Sequence, residues 1–164
     1  MKKIGIYAGT FDPITFGHID IVNRSLKIVD KLIIAISADS KKKSLLPLAT
    51  RLELIQHDVK KYCDDYDRVE VKIFYGLLVN FAQENNSQIL IRGLRALSDF
   101  EYEFQMSCMN NMLNNEIETI FLPAQTNHFV ASRFAKEILH LGGDVSKMIS
   151  QNTETKLKEF IDNE

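Results

Sequence analysis

Residues 32–37, LIIAIS, are apolar almost without interruption. A strand with one wet face alternates polar and apolar side chains, so this run has to be covered on both faces. That restricts the chain to a layered fold with helices above and below a parallel sheet. The remaining sequence supplies the parts. KIGIYA (3–8), VEVKIF (69–74), ILIR (89–92) and TIFL (119–122) read as further strands. Between them, apolar residues recur at helical spacing: Ile19, Val22, Leu26 and Val29, then Leu52, Ile55, Val59 and Tyr62. Leu78 to Asn85 make a short helix. Ser98-Asp-Phe-Glu101 reads as a capping box that opens a long helix to about Leu113. Phe129 to Leu141 are helical and stop at Gly142-Gly143, and Thr153 to Ile161 form a last helix.

Strands that alternate with helices imply parallel pairing through right-handed crossovers. The expected fold is α/β: a single-domain, Rossmann-like, doubly wound parallel sheet of about five strands with flanking helices. It spans residues 1–164 as one domain, with the C-terminal helix at about 153–161. No repeat, low-complexity tract or linker divides the chain.

Charge and cysteine content narrow the function. Twenty Lys and Arg stand against 22 Asp and Glu, a net charge of −2, which argues against nucleic acid as a partner. Cys63 and Cys108 are too few and too far apart for a zinc site or a disulfide framework. No apolar run reaches the roughly 18 to 20 residues that span a bilayer. The opening MKKIGIY has no signal-peptide core. A cytoplasmic protein with no membrane partner is expected.

In a doubly wound sheet, ligands bind at the carboxyl ends of the strands near the switch point. Segments 9–18, 39–44, 76–78, 92–95 and 123–132 fall there. The first carries the densest chemistry. Gly9 allows close backbone approach, Thr10 offers a hydroxyl and an N–H, and Gly17 and His18 open a helix whose N-terminus favours an anion. Each feature alone is commonly structural. Their conjunction between a buried strand and an amphipathic helix points to a cradle for a phosphate that gains charge during reaction. Neither GxxxxGK[ST] nor GxGxxG occurs, which turns the reading away from P-loop ATPases and dinucleotide sites. Arg92 ends an otherwise apolar strand and therefore needs an anion.

GTFDPITFGH (9–18) resembles the T/H-x-G-H signature of the nucleotidyltransferase superfamily. IRGLRALSDFEYE (91–103) resembles the second signature of the bacterial phosphopantetheine adenylyltransferases, and SKKKS and GLLVNFA match that family in order and spacing. The resemblance runs from Lys3 to about Ile149. It implies transfer of the adenylyl group of ATP to 4′-phosphopantetheine by in-line attack, giving 3′-dephospho-coenzyme A and pyrophosphate. It further implies Mg²⁺ as the companion of ATP with no protein metal site, a homohexamer, and feedback binding of coenzyme A.

By that resemblance, His18 stabilises charge on the transferring α-phosphate and Thr10 orients the attacking phosphate. Phe11 and the Gly9 backbone lie near the nucleotide. Lys42, picked from Lys41–Lys43 by family register alone, binds the pantetheine phosphate. Leu78 lines the pantetheine arm, and Arg92 holds the pantetheine side. Gly93, Leu94 and Arg95 contact ATP, as does Glu103, while Asp99 and Glu101 are ordinary helix-start acids. Tyr102 and Asn110 border the substrate cleft. Asn127, His128, Phe129, Val130, Ala131, Ser132 and Arg133 form the ATP-phosphate segment.

Three departures stand out. Ala8 replaces the usual Pro, and Pro47 replaces a usual Ser or Thr cap. In the third motif Ala131 and Arg133 replace two of three hydroxyls, leaving Ser132. Losing two donors is expected to weaken ATP binding by about 1 kcal/mol each, with Arg133 available to offset it through a charge-assisted contact. The alternatives are an adenylyl- or cytidylyltransferase with another acceptor, such as nicotinamide mononucleotide or glycerol phosphate, or a nucleotide-binding module with impaired catalysis.

Overall fold

The computed structural model describes residues 2–39, 43–125 and 130–162 of the chain. Among the described residues five strands are present: β1 (Ile4–Gly9), β2 (Lys31–Ser37), β3 (Val69–Phe74), β4 (Ile89–Leu94) and β5 (Glu118–Pro123). They alternate with α1 (Phe16–Ser25), α2 (Leu48–Tyr62), α3 (Leu78–Glu84), α4 (Leu97–Leu113), α5 (Ser132–His140) and α6 (Gln151–Ile161). The sheet order is β3-β2-β1-β4-β5, with every pairing parallel. The direction of winding reverses between β1 and β4, so the crevice for a ligand lies at the carboxyl ends of those two strands.

The continuous apolar runs are explained by burial on both faces. Ile6, Ala8, Ile33, Ala35 and Leu90 face one core with Phe74, Val79, Phe81 and Ile117. Tyr7, Leu32, Ile34, Ile36 and Ile91 face the other, filled by residues of α1, α2, α5 and α6. The last helix is moored by a buried carboxylate. Asp58 of α2 accepts hydrogen bonds from Ser150 Oγ (2.8 Å) and Thr153 Oγ1 (3.0 Å), and contacts His57 Nδ1 at 2.9 Å. Ser150 is also the cap of α6, accepting from the Thr153 N–H.

Several boundaries differ from expectation. β4 continues to Leu94 because its backbone keeps pairing with β5 (Gly93 beside Leu122, Leu94 beside Pro123), which brings Gly93 and Leu94 into the sheet. The helix does not open at Ser98 as expected, since Ser98 already lies inside it. α4 begins at Leu97 with Ala96 at the cap, and Asp99 turns back to accept from the Arg95 N–H (3.2 Å) and Nε (3.1 Å). α5 starts at Ser132, since Ala131 holds the extended conformation of a cap. α6 starts at Gln151 rather than Thr153. Gly142, at φ +77°, ends α5 in the left-handed conformation that glycine adopts without strain.

Candidate active site

The β1–α1 loop is held from several sides. The Thr10 carbonyl accepts from Arg51 Nη1 (2.7 Å), and the same buried guanidinium donates to the Leu46 carbonyl (3.2 Å). Phe11 sits at φ +50°, a strained conformation for a bulky residue, and is buried. Its ring packs over Gly9, where an added Cβ would lie 3.1 Å from two ring atoms. It also meets Tyr7 edge-on at 5.4 Å and His18 at 5.0 Å.

His18 is fixed by a capping box in which it plays the part usually taken by Glu or Gln. Thr15 caps α1, and the Thr15 N–H donates to His18 Nδ1 at 3.0 Å. An Nδ1 that accepts cannot carry the ring proton, so the proton is on Nε2. Burial, with the nearby Arg95 charge adding to it, pushes the imidazole pKa down to about 3. His18 is therefore a neutral donor whose Nε2–H has no protein partner among the described residues. The start of α1 offers fewer free amides than the sequence implied. The Phe16 N–H donates to the Met148 carbonyl (2.8 Å) and the His18 N–H to Thr15, leaving Gly17 as the first-turn amide without a protein partner among the described residues.

At the end of β4, the anion that Arg92 requires proves to be Glu103. Nε donates to Oε2 at 2.6 Å, Nη2 donates to Oε1, and Nη1 donates to the Ala8 carbonyl at 2.5 Å. Burial alone would lower the Arg92 pKa, but hydrogen bonding to Glu103 and its charge more than offset that and raise it. Arg92 and Glu103 line an open pocket with Leu78, Tyr102, Met106, Ser107, Asn110 and Thr119. The expected substrate contacts Leu78, Arg92 and Asn110 thus converge in one pocket. Arg95 is exposed and paired with Asp99. Gly93 lies against α1, and a Cβ there would meet Ile21 at 3.1 Å and the Tyr7 hydroxyl at 3.6 Å.

The third motif meets the first across a seam. Ser132 Oγ donates to the Pro13 carbonyl (2.8 Å), so its single hydroxyl proton is committed to the loop. Thr15 Oγ1 donates to the Val130 carbonyl at 3.4 Å. Ala131 is buried, and the exposed Arg133 lies over the ring of its neighbour Phe134 at 4.7 Å. The N–H groups of Ser132 and Arg133, at the start of α5, have no protein partner among the described residues. Lys42, Asn127, His128 and Phe129 lie outside the described residues.

Sequence reasoning gave no role to Thr15, Arg51, Asp12 or Lys136. Thr15 was legible in principle, because T-x-x-H repeats the spacing of a capping box. Among the described residues no cluster of three or more His, Cys, Asp or Glu could hold a metal ion.

The chain is similar to known proteins along most of its length. The cytidylyltransferase-like family model matches residues 6–140. A phosphopantetheine adenylyltransferase of Wolbachia pipientis subsp. Culex pipiens is 51% identical over 157 residues, covering 95% of this chain and 92% of the relative. One from Pelagibacter ubique is 48% identical over 164 residues, covering 97% and 98%. Among solved structures, Plasmodium falciparum nicotinic acid mononucleotide adenylyltransferase shares the fold with TM-score 0.73 at 16% identity, covering 98% of this chain and 96% of that one. A bifunctional NMN adenylyltransferase/ADP ribose pyrophosphatase from Francisella tularensis gives TM-score 0.67 at 18% identity, covering 99% of this chain and 50% of that one.

Proposed function

On the premise that the chain belongs to the phosphopantetheine adenylyltransferases of the cytidylyltransferase-like family, we propose how its residues divide the chemistry. The reaction is transfer of the adenylyl group of ATP to 4′-phosphopantetheine, giving 3′-dephospho-coenzyme A and pyrophosphate in the penultimate step of coenzyme A synthesis. An oxygen of the acceptor phosphate attacks the α-phosphorus in line. A new P–O bond forms, the bond to the β-phosphate oxygen breaks, and pyrophosphate carries the electron pair away. No proton has to move and no covalent enzyme intermediate forms, so catalysis is positioning and charge stabilisation.

The observation that carries the assignment is the neutral, fixed His18. Its Nε2–H is a preorganised donor for an α-phosphate oxygen as charge develops there. Thr10 and Lys42 orient the acceptor phosphate. The cavity beside Arg92, Leu78 and Asn110 takes the pantetheine arm. Gly93, Leu94, Arg95, Phe11 and Glu103 border the nucleotide. The Ser132 and Arg133 amides bind its phosphates, and by the resemblance to the family the residues Asn127 to Ala131 belong to the same ATP-binding segment. Mg²⁺ bound to ATP would neutralise charge on the triphosphate and leaving pyrophosphate.

Assembly as a homohexamer is supported by the apolar side chains that α4 leaves in solvent, among them Leu97 (89% exposed), Met112 (78%), Tyr102 (62%) and Leu113 (60%). Feedback by coenzyme A is supported by the same cavity, since that molecule contains the pantetheine arm of the substrate. A cytoplasmic setting accords with two free cysteines and, among the described residues, no helix long and apolar enough to cross a membrane.

Pyrophosphate release measured with ATP, Mg²⁺ and 4′-phosphopantetheine tests the proposal, with nicotinamide mononucleotide, and glycerol phosphate with CTP, as parallel acceptors. Release with phosphopantetheine alone, lost in His18→Ala, is the expected result. Turnover with another acceptor only, or with none despite ATP binding, overturns it.

A further inference from the structure

Three segments bring substrate groups to this cleft: the β1–α1 loop with Thr10 and His18, the stretch that follows Lys42, and α5 with the amides at its start. One buried carboxylate joins all three. Asp12, 7% exposed, accepts from the Leu46 N–H at Oδ1 (2.9 Å), and from the Leu45 N–H (3.0 Å) and Lys136 Nζ (2.7 Å) at Oδ2. Leu45 and Leu46 stand three and four residues after Lys42, and Lys136 is on the second turn of α5. Arg51 closes the same knot from α2, bonding the Thr10 and Leu46 carbonyls.

We propose that Asp12 is a positioning residue that sets the acceptor-side and ATP-side loops against each other, with Lys136 as the link to the ATP side. Neither side chain is placed against the reacting atoms, and neither has a role in the division of chemistry above. The geometry supports a positioning role in two ways. Among the described residues, the other hydrogen bonds that tie the β1–α1 loop to α5 and the residues just before it are neutral, Ser132 to Pro13 and Thr15 to Val130, whereas Asp12–Lys136 is charged and short and therefore more restrictive. The carboxylate also bonds the acceptor-side stretch through amides alone and α5 through an ammonium alone, so the two sides can be loosened separately.

The inference rests on the assignment of the acceptor to the Lys42 side and of the ATP phosphates to the α5 side. Lys136→Met keeps the aliphatic stem of a half-buried side chain and removes only the charge. Its KM for ATP is expected to rise at least about tenfold while that for phosphopantetheine moves less than about threefold. Lys136→Arg is expected to restore most of the difference. Asp12→Asn, which disturbs both connections, raises both KM values. Lys136→Met with kcat and both KM values within twofold of wild type overturns the inference. So does an activity loss that follows the folded fraction at unchanged KM, which is the mark of a merely structural contact. If Asp12→Asn does not fold, Lys136→Met decides alone. Wild-type protein run in parallel separates the two levels: no turnover there refutes the functional assignment, whereas normal turnover with an indifferent Lys136→Met refutes only the positioning role.

Discussion

On the proposed assignment the two ring nitrogens of His18 have separate duties, and two amide substitutions separate them. The Nδ1 edge caps α1 by accepting from the Thr15 N–H, and the Nε2 edge is left to donate. His18→Asn places an amide oxygen near the position of Nδ1 and has nothing at the position of Nε2. His18→Gln does the reverse. Loss of a preorganised donor to a developing oxyanion costs about 100- to 1,000-fold in kcat, or about 3–4 kcal/mol. Loss of a helix cap costs about 1 kcal/mol of stability. His18→Asn is therefore expected to fold almost as stably as wild type and to lose at least about 100-fold in kcat. His18→Gln is expected to be the less stable and the more active of the two. The assays are pyrophosphate release at saturating substrates and urea unfolding. An Asn variant as active as the Gln variant refutes the tautomer argument.

The same residue makes a pH prediction whose sign follows from its depressed pKa. The folded state holds His18 neutral down to a pKa of about 3, whereas the unfolded chain protonates it near 6.5. As pH falls below about 6.5 the unfolded state binds a proton that the folded state refuses. Stability is therefore lost on acidification, by up to about 1.4 kcal/mol per pH unit, until the folded pKa is reached. Between about pH 7.5 and pH 5 that amounts to about 2 kcal/mol, present in wild type and absent from both amide variants. Equal acid sensitivity in wild type and His18→Asn refutes it, as would an imidazole that titrates between about pH 6 and 7 by NMR in the ligand-free protein.

Glu103→Gln leaves Arg92 with a neutral partner in a pair whose side chains are 26% and 14% exposed. A loss of about 1–3 kcal/mol in urea unfolding is expected, below the cost for a fully buried pair, and a loss under about 0.5 kcal/mol contradicts it. Tyr7 is buried and its hydroxyl has no hydrogen-bond partner among the described residues. Tyr7→Phe should leave stability unchanged or raise it by up to about 1 kcal/mol, whereas destabilisation beyond about 1 kcal/mol in the same assay would reveal a bound water. Asp58→Ala strands the hydroxyl donors of Ser150 and Thr153, so about 3 kcal/mol should be lost and the α6 segment should become protease-sensitive before the rest. Cleavage of α6 no faster than in wild type would refute the mooring role.

The architecture was legible because a parallel sheet covered on both faces writes its strands as unbroken apolar runs, and no other element competes for LIIAIS or ILIR. The β1–α1 loop was legible for a related reason: small and polar residues between such a strand and an amphipathic helix have no packing role that requires them. Arg92 was read correctly as a cation that needs an anion. The identity of that anion was not legible, because whether Glu103 reaches Arg92 depends on the phase of α4. Asp12 and Lys136 are 124 residues apart and follow no local pattern, so only the sheet order, which brings α5 beside the first loop, joins them.

A site that joins two anionic substrates without moving a proton faces a difficulty that this arrangement resolves. Cations strong enough to hold the phosphates would repel one another in the empty cleft. Arg92 is bidentate on Glu103, Arg95 is held by Asp99 and Lys136 by Asp12, so each is oriented in advance and locally neutralised. Arg51 is the exception. It is buried against carbonyl oxygens, and burial lowers its pKa even though the Asp12 charge acts in the opposite direction. Together with Lys136 it places two cations against the single anion Asp12 beneath the β1–α1 loop, which the proposed assignment gives to the transferring phosphate. The neutral His18 fits the same logic, since a charged imidazolium would attract the reactant phosphates as well as the transition state, whereas a fixed neutral donor gains most as charge develops on the oxygen it faces.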